Sequence, residues 1–188
     1  MGVRGLLAKV KDVNMCEQTK FLHDLLMSQL KELEELKTLK HHPKTEYDFL
    51  MKHQAICNRI AHLFKRFAFF LDTGTGKTLT ALSIISDFKK IKWVVVCPKA
   101  LTKTAWLEDA QKFFPDIKCV PVSKNMKKTD YVDILDSWGV QVRGTTKDKL
   151  RQHALEMADV IIINPESFKS EYPVYLDLGY NGLIVDES

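Results

Sequence analysis

The sequence predicts an α/β fold, a mostly parallel sheet between helices, preceded by a helical N-terminal extension. Three observations point there. Short apolar runs rich in β-branched residues recur: Trp93-Val94-Val95-Val96-Cys97, Val160-Ile161-Ile162-Ile163 and Leu183-Ile184-Val185. Segments of helical periodicity separate them, and continuous apolar runs of this kind belong to parallel strands covered on both faces. A Gly-rich stretch, Asp72-Thr73-Gly74-Thr75-Gly76-Lys77-Thr78, lies between a further apolar run and a helix.

Taken in chain order, residues 17–40 read as an amphipathic helix. Leu22, Leu25, Leu26, Leu30, Leu33 and Leu36 recur at three- and four-residue steps, with Lys31, Glu32, Glu34, Glu35 and Lys37 between them. His41-His42-Pro43 ends it, because the residue before a proline is pushed out of helical geometry. Such a helix packs on its neighbours or, as a short coiled coil, on a partner the sequence does not identify. From Tyr47 the texture changes. A helix over residues 48–65 carries Ile56, Ile60, Leu63 and Phe64, and Phe67-Ala68-Phe69-Phe70-Leu71 reads as a strand leading into the Gly-rich stretch. The next helix places Leu82, Ile85 and Phe88 on one face. Further helices are expected near residues 102–113 and over 146–157. The chain thus divides into an extension, residues 1–46, and one lobe, residues 47–188.

Composition sets the outer bounds. With 188 residues, 45% hydrophobic and 28% charged, the chain is about one domain long. It is no disordered tail, collagen or disulfide scaffold. No run approaches the ~18 apolar residues of a membrane-spanning helix, and the start lacks a signal-peptide core. A soluble intracellular protein without membrane contact is expected, cytoplasmic in a bacterium or phage-infected cell and nuclear in a eukaryote. Cys16, Cys57, Cys97 and Cys119 have no zinc-ligand spacing, so they read as reduced, packed thiols. The net charge of +4 has a location: residues 118–151 hold eight Lys and Arg against four Asp, which accounts for the whole surplus. That stretch suits a polyanion, or is simply a solvated face.

The Gly-rich stretch carries the chemistry. Glycines let backbone N–H groups close around phosphate oxygens with no Cβ in the way, and the following helix turns its positive end to the anion. Thr73, Gly74, Thr75 and Gly76 would wrap the phosphates, Lys77 would reach the terminal ones, and the Thr78 hydroxyl would ligate Mg²⁺. The strict Walker A pattern asks for a glycine at position 71, where this chain has Leu71. A second half-site ends the sequence: Leu183-Ile184-Val185-Asp186-Glu187 is an apolar strand closed by two acids. In that Walker B arrangement Asp186 would hold Mg²⁺, and Glu187 would orient or deprotonate the attacking water. Together the two motifs predict binding and hydrolysis of a magnesium nucleoside triphosphate.

Several blocks, in order, carry a family likeness. Leu50-Met51-Lys52-His53-Gln54 resembles a Q motif, and Leu71 through Thr78 resembles a motif I that often lacks its first glycine. Val94 through Leu101, followed by Trp106, Glu108 and Phe113-Phe114-Pro115, resembles motif Ia and its sequel. Val160 through Phe168 resembles a later strand-and-loop block, although Asn164-Pro165 stands where many relatives have Thr-x-Tyr. Asp186-Glu187-Ser188 begins what looks like a D-E-S-H box, with the sequence stopping before the His. From residue 47 onward the chain resembles the first RecA-like lobe of a superfamily 2 helicase or translocase, of the Swi/Snf-like branch in its phage and bacterial form.

That resemblance implies ATP and Mg²⁺ as ligands, with Gln54 reading the adenine edge. It implies DNA held through its backbone, independently of sequence, by Lys99, Thr102, Asn164 and Lys169. It also implies a second RecA-like lobe, absent from this chain, whose arginine completes the γ-phosphate site; the fragment alone is expected to be inactive. Two alternatives stand beside it: an RNA or single-strand helicase of the same superfamily, or, for this fragment, a non-catalytic nucleotide-binding module. Trp93 and Trp106 read as packing residues rather than base-stacking platforms.

Overall fold

The computed structural model describes residues 17–38, 47–64, 66–142 and 144–187; in the first helix it describes the side chains of 24–32, 34 and 35. The chain packs as two compact units, residues 1–67 and 68–188.

The first unit contains α1 (Glu17–Thr38) and α2 (Lys52–Leu63). The expected stop signal at His41-His42-Pro43, like Cys16, lies outside the described residues. Helix α2 starts later than its apolar periodicity suggests, because residues 48–50 form a turn in which Leu50 N–H reaches Tyr47 O at 3.2 Å. The side-chain oxygen of Gln54 then accepts the Met51 N–H at 2.8 Å and sets the helix start. Gln29 Nε2 donates to Leu63 O at 2.6 Å, and Arg59 pairs with Glu32 at 2.8 Å, joining α1 to α2. Leu25 and Leu26 remain 44% exposed on α1.

The second unit runs α3 (Lys77–Asp87), β1 (Lys92–Val96), a π-helical segment (Thr102–Leu107) continuing into α4 (Glu108–Phe113), β2 (Cys119–Val122), α5 (Lys128–Ser137), α6 (Lys147–Met157), β3 (Val160–Ile163), α7 (Pro165–Asp177) and β4 (Tyr180–Val185). The strands form one all-parallel sheet in the order β2-β3-β1-β4. This is the α/β architecture of a RecA-like lobe. Val94, Val96, Ile161 and Ile163 bury one face against Tyr131 and Leu135 of α5, Leu150 and Leu155 of α6 and Tyr175 of α7. Their alternates Val95 and Ile162 are also fully buried, so the two central strands are covered on both sides.

Two strands differ from expectation. Phe67–Leu71 belongs to no strand among the described residues, and Phe70 is 97% exposed. An apolar run becomes a strand only when a neighbour takes up its backbone groups. Here Leu71 O and Asp72 O are instead engaged by the Gly-rich loop that follows. Conversely, β2 escapes a sequence reading because it is four residues long and contains Pro121. As an edge strand paired, among the described residues, with β3 alone, it tolerates a missing N–H. Helices α5 and α7 also lie outside the sequence expectations, α7 even enclosing Pro173.

Strand β4 begins earlier than its apolar run, at Tyr180, whose hydroxyl faces Leu155 O at 2.6 Å and Ala158 O at 2.9 Å. Gly182 lies beside Trp93 of β1, and a Cβ there would come within 2.4 Å of the indole ring. Only glycine lets β4 approach β1 so closely.

Candidate nucleotide-binding site

In a parallel sheet every strand ends at the same edge, which is where α/β proteins place ligands. Here that edge carries Cys97 to Thr102 after β1, Ser123 to Lys127 after β2, Asn164 after β3 and Asp186-Glu187 after β4.

The Gly-rich loop is built locally. Asp72 O accepts both the Thr75 N–H (3.4 Å) and the Thr75 hydroxyl (2.7 Å), closing a turn. Gly74 and Gly76 have φ of +81° and +74°. A Cβ at Gly74 would meet nothing within 4 Å, so backbone angle rather than space requires glycine there. Gly76 brings no capping side chain, and no acid sits in the first turn of α3. The helix therefore keeps its positive end uncompensated, which fits a phosphate. Lys77 Nζ lies back on Leu71 O at 3.4 Å, inside the loop it would serve. Thr78 is in the first turn and half-buried, whereas Thr73 and Gly74 are exposed.

The far acid pair is held differently. Asp186 N–H donates to Val96 O at 2.8 Å, continuing the β1–β4 pairing past the end of the strand. One of its carboxylate oxygens, Oδ2, accepts the indole N–H of Trp106 at 3.0 Å. Trp106 is 1% exposed and lies in the π-helical segment after β1. Beside this pair, burial pushes the Cys97 thiol up to about 12, and the Asp186 charge adds to the shift. Cys97 is thus a neutral, inert neighbour. Glu187 is exposed.

Sequence reading placed Trp106 among packing residues, and its burial agrees. Its tie to Asp186, 80 positions away, was missed. The available signal was chemical: a buried indole N–H usually takes an acceptor.

Other predicted residues are scattered. Lys99 and Lys169 are exposed. Thr102 is 8% exposed and gives its hydroxyl to Lys99 O at 2.9 Å. Asn164 donates its amide to Glu166 Oε2 at 2.6 Å. Gln54 belongs to the first unit, is 2% exposed, and caps its own helix. Cys57, Cys97 and Cys119 are buried free thiols, as expected. Among the described residues no cluster of three His, Cys, Asp or Glu side chains forms a self-contained metal site. Magnesium does not need one, since it commonly takes one or two protein ligands and completes its shell with phosphates and water.

A family model described as type III restriction enzyme, res subunit, matches residues 27–188. The chain belongs to this family. It therefore carries a superfamily 2 helicase-like ATPase domain, of a family of ATP-dependent enzymes acting on nucleic acid. The match begins inside α1, so the family pattern spans both compact units. No curated protein matches the chain. Among the described residues no helix is long and apolar enough to cross a membrane.

Proposed function

We propose that this chain is the ATP-binding lobe of a Swi/Snf-like DNA translocase or helicase, coupling Mg·ATP hydrolysis to sequence-independent DNA binding. The observation that carries the reading is a pairing within one unit: two left-handed glycines before an uncompensated helix end, and a strand closed by Asp186-Glu187. Family membership supports reading that pairing as an ATPase site rather than a generic anion cradle.

In this reading Thr73 to Gly76 enclose the phosphates with backbone N–H groups, and Lys77 neutralises the terminal charge. Thr78 and Asp186 would hold Mg²⁺, which when bound would polarise the phosphoryl group. Glu187, exposed at the strand end, positions the attacking water and takes its proton. Gln54, buried at the start of α2, is the residue this reading assigns to the adenine. DNA phosphates lie along the edge at Lys99, Thr102, Asn164 and Lys169; β1 and β3 are neighbours, so their following loops are adjacent.

Equilibrium titration with ATP, followed by turnover assays with duplex DNA, single strands and RNA, tests the reading. Mg·ATP should bind to the wild type and not to Lys77→Ala, while Cys97→Ala binds normally. The 188-residue chain alone should show little DNA-stimulated turnover, because a second-lobe arginine contributes about 10³ or more in rate in related phosphoryl transfers. Equal ATP affinity in wild type and Lys77→Ala rules the site out. Stimulation by RNA but not by duplex DNA, once a second lobe is supplied, would move the chain out of the Swi/Snf-like branch.

A further inference from the structure

We propose that Trp106 is a positioning residue for Asp186, setting the orientation of its carboxylate and hence its readiness to take magnesium. This rests on the assignment of Asp186 to the metal of the nucleotide site.

Four observations support it. The indole N–H meets Asp186 Oδ2 at 3.0 Å, and a hydrogen bond to a carboxylate is among the stronger ones a neutral donor makes. Pairing is not an automatic result of burial in this fold, since Trp93 Nε1 is buried with no hydrogen-bond partner among the described residues. Trp106 also sits in a π-helical segment, Thr102–Leu107, wedged between the β1 loop and α4. Such turns are rare and gather at functional positions, because their wider winding re-aims the side chains they carry. The start of the segment is tethered, with Leu101 N–H on Pro98 O at 2.9 Å and the Thr102 hydroxyl on Lys99 O.

Asp186 is therefore gripped at two points from different elements, its backbone by β1 through Val96 and its carboxylate by Trp106. A metal-binding carboxylate fixed by an outer hydrogen bond presents its lone pairs in one direction, and losing such a partner typically weakens metal affinity about 10- to 100-fold. A tryptophan serving only as core filling would not discriminate between nucleotide with metal and nucleotide without it.

That distinction defines the experiment. Trp106→Phe keeps an aromatic ring in the site and removes the N–H. ATP affinity is measured calorimetrically on the whole chain with and without Mg²⁺, alongside the thermal midpoint, with Lys77→Ala as control. The expected result is metal-free ATP affinity near wild type, with the tightening produced by Mg²⁺ reduced about tenfold. A Mg²⁺ increment equal to that of wild type overturns the proposal, and a wild type that shows no such increment overturns it too. If the wild type does not bind ATP, or Lys77→Ala binds it equally well, the nucleotide reading fails and takes the proposal with it. If Lys77→Ala loses binding while Trp106→Phe keeps the full Mg²⁺ increment, the proposal fails alone.

Should Trp106→Phe not fold, the indole N–H resonances of the wild type give a second measurement, assigned with Trp93→Phe and Trp138→Phe. Adding Mg²⁺ to the ATP complex should move the Trp106 resonance and leave that of Trp138 in place. A stationary Trp106 resonance overturns the proposal.

Discussion

The Gly-rich loop is held by contacts a few residues apart, Thr75 on Asp72 and Lys77 on Leu71. Asp186, proposed for the same nucleotide, is held by Val96 on a neighbouring strand and by Trp106, 80 positions away. The loop is largely exposed and depends on two backbone angles, whereas the carboxylate depends on a buried indole and on correct strand pairing. Phosphate binding should therefore survive damage to the sheet that metal binding does not.

The largest expected effect isolates the loop. Lys77→Ala should lower ATP affinity about 100-fold or more, equivalent to ~3 kcal/mol, with no change in thermal midpoint. A parallel loss of stability would mean that the lysine braces the loop rather than serving a ligand.

Gly182→Ala attacks the other region. The new methyl group overlaps the Trp93 ring, so β4 must shift, at a cost of about 3 kcal/mol in denaturant unfolding. Metal-dependent ATP binding should fall with it, while metal-free binding changes less. An unchanged unfolding midpoint would show that the ring yields and that β4 does not need the glycine.

Alkaline pH gives a smaller effect on the same buried region. Burial raises the Cys97 and Cys119 thiols from 9.0 to about 12, and the nearby Asp186 and Asp159 charges add respectively. Tyr175 and Tyr180 are raised as well, first by burial. The unfolded chain releases the thiol protons near pH 9 and the folded chain holds them, so this stabilisation is complete below pH 9. It is lost as pH rises from 9 towards 12, by roughly 1 kcal/mol per thiol at pH 10. Cys119→Ala should flatten that decline in unfolding experiments; an identical slope would remove Cys119 from the account.

The smallest effect lies in the first unit. Arg59 and Glu32 are about 40% exposed, so Glu32→Gln should cost under about 0.5 kcal/mol and disappear in high salt. A larger loss would mark the α1–α2 junction as more than a surface pair.

Legibility followed the range of the interactions. Strands β1 and β3 were readable because Val94 to Val96 and Val160 to Ile163 are buried on both faces and leave unbroken apolar runs. The helix over 147–157 was readable from its periodicity, and Thr146 does supply its cap, accepting from Lys149 N–H. Strand β2 was hidden by its proline, and the run 67–71 misled because apolar content alone does not make a strand.

What could be read from residues alone was the α/β class, the Gly-rich loop before a helix and the paired acids. Each is written in a few adjacent positions, by backbone angle, helix polarity or strand burial. The order β2-β3-β1-β4, the need for Gly182 beside Trp93, and the grip of Trp106 on Asp186 could not be read that way. Those features join residues tens of positions apart, and such pairs meet only once the sheet has chosen its neighbours and the helices have packed on it.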